Sequence, residues 1–108
     1  MTDCLIVFNT CPDADTATRI ANHLVDQRLA SCVNVIPGLQ STYIWNNVRE
    51  TTTECLLMIK TTRAAYDGLE RSIREMHPYE LPEVIAVSVD TGLAGYLSWI
   101  QRSVNNIK

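Results

Sequence analysis

Lysine is nearly missing from this chain. Only Lys60 and Lys108 occur among its 108 residues, and nine basic residues face twelve acidic ones for a formal net charge of −3. No basic run exists, whereas a nucleic-acid surface needs clustered Lys and Arg to neutralise phosphates. That class of partner is excluded. Long apolar runs are also missing: none approaches the roughly 20 residues that span a bilayer, which argues against a membrane partner. Glycine is scarce, at four residues, so no glycine-rich loop is available to cradle phosphates. A nucleophile elbow, a Walker loop, an HExxH pair and a dinucleotide fingerprint are all absent, which argues against an enzyme.

The cysteines lack metal spacing. They stand at 4, 11, 32 and 55, with no CxxC pair and no zinc-ribbon pattern. Cys4, Cys32 and Cys55 fall in apolar runs, where reduced cysteine packs as a small hydrophobe. Cys11 precedes Pro12 in an apparent turn and is expected to be exposed. Met1-Thr2-Asp3-Cys4 has no positive charge ahead of the first apolar run, unlike a secretory signal. Together these features point to a reducing cytoplasmic setting.

What is present suffices for one domain over residues 1–108. Apolar residues make up 46% of the chain. Area scaling gives a folded surface of roughly 6,000 Å² against roughly 17,500 Å² unfolded. Cys4-Leu5-Ile6-Val7-Phe8 reads as a buried strand, and Asn9 to Asp13 as the break after it. Asp13 suits an N-cap, and Ala17, Ile20, Ala21 and Leu24 give helical spacing over about 14–28. Residues 31–36 and 41–45 read as one long strand with a bend or bulge at Pro37-Gly38. Asn46-Asn47 turns it into a second strand, 48–62.

Thr61 or Thr62 is expected to cap the next helix, whose stripe is Tyr66, Leu69, Ile73 and Met76; Pro78 ends it. A last strand covers 84–89, and a final helix opens near Thr91-Gly92. The order predicts an α+β fold: a ferredoxin-like β-α-β-β-α-β sandwich with an antiparallel sheet and a C-terminal helix. The strands are apolar on both alternations, so helices on one face would leave the other bare. Self-association into a closed assembly is the expected remedy.

The densest chemistry lies in His77-Pro78-Tyr79-Glu80-Leu81-Pro82-Glu83. It holds an imidazole, a phenol and two carboxylates on a backbone stiffened by two prolines. His77 is the leading candidate to bind a metal or a polar ligand; otherwise it caps a helix C-terminus. Glu80 reads as a solvated charge. Glu83 enters a strand and needs a partner, with Lys60 or Arg63 suggested. Lys60 could hold an anion, or pair with Glu54 or Glu83. Trp45, Tyr43 and Tyr79 suit an interface or a pocket. His23 reads as a surface histidine.

Five ordered stretches, at 30–38, 41–45, 54–62, 77–83 and 96–100, resemble the CutA divalent-cation tolerance proteins. The resemblance implies a ferredoxin-like homotrimer of bacterial cytoplasm, linked to tolerance of copper and other divalent metals. It also implies likeness to the nitrogen-regulatory PII proteins, trimers with ligand clefts between subunits. Copper ligation in some members, carried over, falls on Asn9, Met76 and His77, with Cys11 as a substitute for the cysteine that Asn9 replaces. A thioether such as Met76 suits Cu(I). Cys32, Tyr43, Trp45, Lys60, Tyr79 and Glu83 are the expected surroundings of a cleft between subunits. The second functional reading is a PII-like sensor holding a small anionic ligand on Lys60, His77 and Tyr79.

Overall fold

Seven elements follow one another: β1 (Cys4–Cys11), α1 (Ala14–Asp26), β2 (Cys32–Trp45), β3 (Val48–Thr62), α2 (Tyr66–Met76), β4 (Ile85–Ser88) and α3 (Ala94–Val104). The computed structural model describes residues 2–104; Met1 and Lys108, counted above, lie outside them. The sheet is antiparallel, with order β2-β3-β1-β4, and this is the expected ferredoxin-like topology.

Alternation along β1 and β3 sorts the two faces. Leu5, Val7, Cys11, Cys55, Leu57 and Ile59 point to the side covered by α1 and α2, where they meet Ile20, Leu24, Leu69 and Ile73. Each buried Leu or Ile there is worth roughly 1.5–3 kcal/mol. The other face carries Ile6, Phe8, Leu56 and Met58, all half-buried, with Ile85 and Val87 exposed beside them. The helix α3 packs only at one end of that face, where Ile100 and Val104 enclose Cys4.

The β2–β3 hairpin protrudes. Its pairing runs from Cys32 opposite Lys60 to Trp45 opposite Val48, with the bulge between Ile36 and Leu39. Gly38, at φ +79°, supplies the left-handed residue the bulge needs. Asn46 and Asn47, at φ +53° and +67°, close the hairpin as a two-residue turn with both centres left-handed. The radius of gyration, 14.4 Å, exceeds the about 13 Å expected for this length, and the long axis of 45 Å reflects the hairpin.

Local expectations are corrected in four places. The first strand continues through Asn9, Thr10 and Cys11, because their backbones pair with Leu57, Leu56 and Cys55. That pairing buries Cys11, which is not in an exposed turn. The N-cap of α2 is Ala65, without a side-chain bond; Thr61 and Thr62 are the buried end of β3. Finally, α3 begins at Ala94, three residues after Thr91. By contrast, Asp13 caps α1 as expected, its Oδ1 accepting the Thr16 N–H at 2.8 Å. That bond holds the carboxyl below its ordinary range.

Candidate functional site

The 77–83 loop leaves the end of α2 and crosses the end of the sheet where β1 finishes. His77 is the C-cap, with extended backbone, and its N–H donates to the Ile73 carbonyl at 2.8 Å. Its ring is buried. Nε2 lies 2.8 Å from the Thr10 carbonyl, which can only accept, so this nitrogen carries the proton. Nδ1 accepts the Tyr79 backbone N–H at 3.1 Å. The imidazole is therefore the neutral Nε2–H tautomer, with both nitrogens engaged. It also packs against the Tyr79 ring, with centroids 4.7 Å apart.

Asn9 makes the second tie. It is fully buried, its Nδ2 donates to the Glu83 carbonyl at 2.9 Å, and its Oδ1 accepts the Cys11 S–H at 3.4 Å. Cys11 is pushed up to about 12, chiefly by burial and then by Cys55, Asp13 and Glu54, so it stays a thiol. Met76 packs against the helix-side core with Leu69 and Ile73. The structure thus brings His77, Asn9 and Cys11 together around the loop. Their donor atoms serve to brace it, and Met76 belongs to the core.

Beyond the brace the loop walls a cavity of about 710 Å³, within the size range of small-ligand sites. The cavity lies on the face away from α1 and α2. Tyr43 and Trp45 reach it from the hairpin, and Thr10 from β1. Three carboxylates line it: Glu54, Glu80 and Glu83. Glu54 is 7% exposed, and its Oε2 accepts the Tyr79 O–H at 2.6 Å. Burial, that bond and the Glu54 charge hold the Tyr79 phenol well above its ordinary range. Partial enclosure, then the Glu54 charge, raises the Glu83 carboxyl.

Of the residues expected around a cleft, Tyr43, Trp45, Tyr79 and Glu83 converge there. Cys32 and Lys60 do not. They are register partners at the far end of the sheet, where the Lys60 ammonium donates to Asn34 Oδ1. Lys60 therefore does not pair with Glu54 or Glu83. Lys60 and Glu54 share one strand, six residues and about 20 Å apart at roughly 3.3 Å per residue. Arg63 is not the Glu83 partner either; it donates to Ser88 Oγ at 2.6 Å. His23 sits at the surface in the last turn of α1, half-buried.

Glu54 is the site residue that sequence reasoning passed over. Its signal is position: a lone carboxylate where the polar run Thr51-Thr52-Thr53 meets the apolar run Cys55 to Ile59. Among the described residues no group of three or more His, Cys, Asp and Glu is clustered tightly enough to hold a metal ion. Nor is any described helix long and apolar enough to cross a membrane.

The family model for the CutA1 divalent ion tolerance protein matches residues 5–103. The chain belongs to that family. It is 39% identical over 98 residues to the divalent-cation tolerance protein CutA of Thermus thermophilus, covering 91% of this chain and 95% of that protein. It is 36% identical over 99 residues to the rice protein CutA 1, chloroplastic; there the match covers 92% of this chain and 56% of the relative, so the chain spans about half the length of that plant CutA. The crystal structure of CutA from Xylella fastidiosa superposes with a TM-score of 0.94 at 43% identity, covering 96% of this chain and 100% of that one. The ferredoxin-like CutA fold expected from the residues is the fold observed.

Proposed function

We propose that this chain acts in divalent-cation tolerance as a cytoplasmic homotrimer without enzymatic activity, and that the cation is drawn to the carboxylate-lined cavity. The observation that carries this reading is the lining itself: Glu54, Glu80 and Glu83, with no Lys or Arg among the lining residues. Glu83 has no side-chain partner among the described residues, and Glu54 has only Tyr79. Carboxylate oxygens of this kind suit hard or borderline divalent ions. At the positions where the resemblance places copper, binding would require His77 to give up Thr10 or Tyr79, Asn9 to give up Glu83, and Cys11 to lose a firmly held proton. The donors at hand therefore fit a cation on Glu54 and Glu83 better than copper on His77. The same lining weighs against an anionic ligand, since Lys60 lies at the other end of the sheet.

The bare sheet face supports the trimer. Ile6, Phe8, Leu56, Met58, Ile85 and Val87 form an apolar surface that a monomer would leave in water. The hairpin adds Ile44, 65% exposed, and Val48, 55% exposed. Both edge strands, β2 and β4, are open to pairing. Packing three such faces together covers the surface and brings each cavity against a neighbour. Four free thiols agree with a reducing compartment.

The test is native mass spectrometry and calorimetry with Cu(II), Zn(II) and Mn(II). Retained metal that is lost in Glu54→Gln and Glu83→Gln, but not in His77→Gln, is the expected result. Loss in His77→Gln alone would return the site to copper at the brace. A solution mass of 12.1 kDa, in place of three times that value, would remove the trimer.

A further inference from the structure

Cys11 and Cys55 face each other across the end of the β1–β3 ladder. They are its last register pair, both are buried in the core on the helix-covered face, and both are free thiols. Residues directly opposite in an antiparallel pair lie roughly 4.5–5.5 Å apart at Cα, inside the roughly 4.4–6.8 Å range of disulfides. Their nearness also registers in the Cys11 thiol, which Cys55 raises second only to burial. The remaining thiols are placed differently. Cys4 lies on the opposite face under α3, and Cys32 stands opposite Lys60.

We propose that Cys11 and Cys55 form an oxidation site: a cross-strand dithiol that closes to a disulfide and, in closing, loosens the Glu83 wall of the cavity. Hydrogen peroxide is a sufficient oxidant. One sulfur attacks a peroxide oxygen, the O–O bond breaks, and a sulfenic acid and one water result. The facing sulfur then displaces the sulfenic oxygen, the S–S bond forms, and a second water leaves. The two thiols lose two electrons and two protons, and the peroxide takes up both. Burial keeps the resting pair reduced and slow to react. Reaction proceeds through fraying of the last ladder pair, where β1 ends before Pro12.

The coupling to the cavity follows from one donor. The Cys11 S–H is what anchors Asn9 Oδ1, and Asn9 Nδ2 in turn holds the Glu83 carbonyl. A disulfide has no S–H. Oxidation therefore strips the fully buried Asn9 oxygen of its donor and weakens its grip on the loop. At the same time the new bond links residues far apart in sequence, which restricts the unfolded chain. The signature is a globally more stable protein with a locally looser loop, a combination that non-specific oxidative damage does not produce.

The experiment treats the full chain with hydrogen peroxide, alkylates it under denaturing conditions and maps peptides by mass spectrometry. Hydrogen exchange is then compared across residues 79–84. The expected result is a Cys11–Cys55 linked peptide, a melting midpoint raised by about 4 °C or more, and faster exchange at 83–84. Both cysteines recovered alkylated would overturn the site. The linked peptide with unchanged exchange would overturn the coupling. Cys55→Ser must abolish the link. Should that variant not fold, equilibrating the unaltered chain in glutathione buffers reads the same pair: a linked fraction that follows the buffer ratio supports the site, and one insensitive to it overturns it.

Discussion

The two sides of the 77–83 loop differ in what their polar groups have left to give. On the inner side, His77 Nε2 and Asn9 Nδ2 tie the loop to β1, while His77 Nδ1 and Asn9 Oδ1 are engaged by Tyr79 and Cys11. On the outer side, Glu83 has no side-chain partner among the described residues, and Glu54 is held by a single phenol. The residue types alone would rank His77 first for function. The geometry ranks it as a brace and leaves the carboxylates as the groups free to bind. A histidine at a loop is informative only once the partners of both ring nitrogens are known.

Substitutions separate brace from wall, and the largest effect belongs to the brace. His77→Ala removes a buried ring and leaves the Thr10 carbonyl and Tyr79 N–H unpaired, so it should cost about 3 kcal/mol of stability. Chemical denaturation at fixed protein concentration reads this; a loss below about 1 kcal/mol would return the ring to a ligand role. Asn9→Ala should cost about 2 kcal/mol by orphaning the Glu83 carbonyl and the Cys11 thiol. It should also speed amide exchange at 83–84.

Glu83→Gln probes the wall. The folded carboxyl lies above its ordinary 4.5, so the folded state holds its proton more tightly than the unfolded chain. Its contribution is therefore complete below about pH 4.5 and is lost as pH rises through the higher folded value. The variant should match the parent near pH 4 and become the more stable of the two as pH rises towards 7, while losing divalent-cation affinity. Thermal melts across that window check the divergence; equal melts at every pH would show that neither partial burial nor the Glu54 charge acts on Glu83. Lys60→Ala comes last. It should change stability by less than about 0.5 kcal/mol and leave cation affinity untouched, because it sits at the far end of β3.

Much of the fold is legible in the residues. The stripe Tyr66, Leu69, Ile73 and Met76 marks α2, the Asn46-Asn47 pair marks the hairpin turn, and the interruption at Pro37-Gly38 marks the bulge. These are local effects of periodicity and backbone preference, so the sequence carries them directly. The site was legible in part. Tyr43, Trp45, Tyr79 and Glu83, expected around a cleft, all line the cavity; aromatics and carboxylates near prolines and turns set them apart in the sequence. Glu54 was read only as an ion-pair partner for Lys60, because its one local mark, a carboxylate at the junction of a polar and an apolar run, does not reveal that Tyr79 and the 77–83 loop lie over it. Cys11 was misplaced because Pro12 reads as a turn, while the ladder partner Cys55 lies 44 residues away.

The sequence by itself determined the order of elements, the family, the two-faced strands and the chemistry of the 77–83 loop, since each depends on neighbours within a few positions. Only the tertiary structure decided what those groups do. Hydrogen bonds with Thr10, Tyr79 and Cys11 occupy His77 and Asn9, strand pairing brings Lys60 to Asn34, and the Tyr79 phenol reaches across 25 positions to hold the Glu54 carboxylate. Hydrogen bonds act over about 3 Å of space with no regard to distance along the chain. Whether a polar side chain is free to bind is therefore settled by folding, even where its identity is plain from the start.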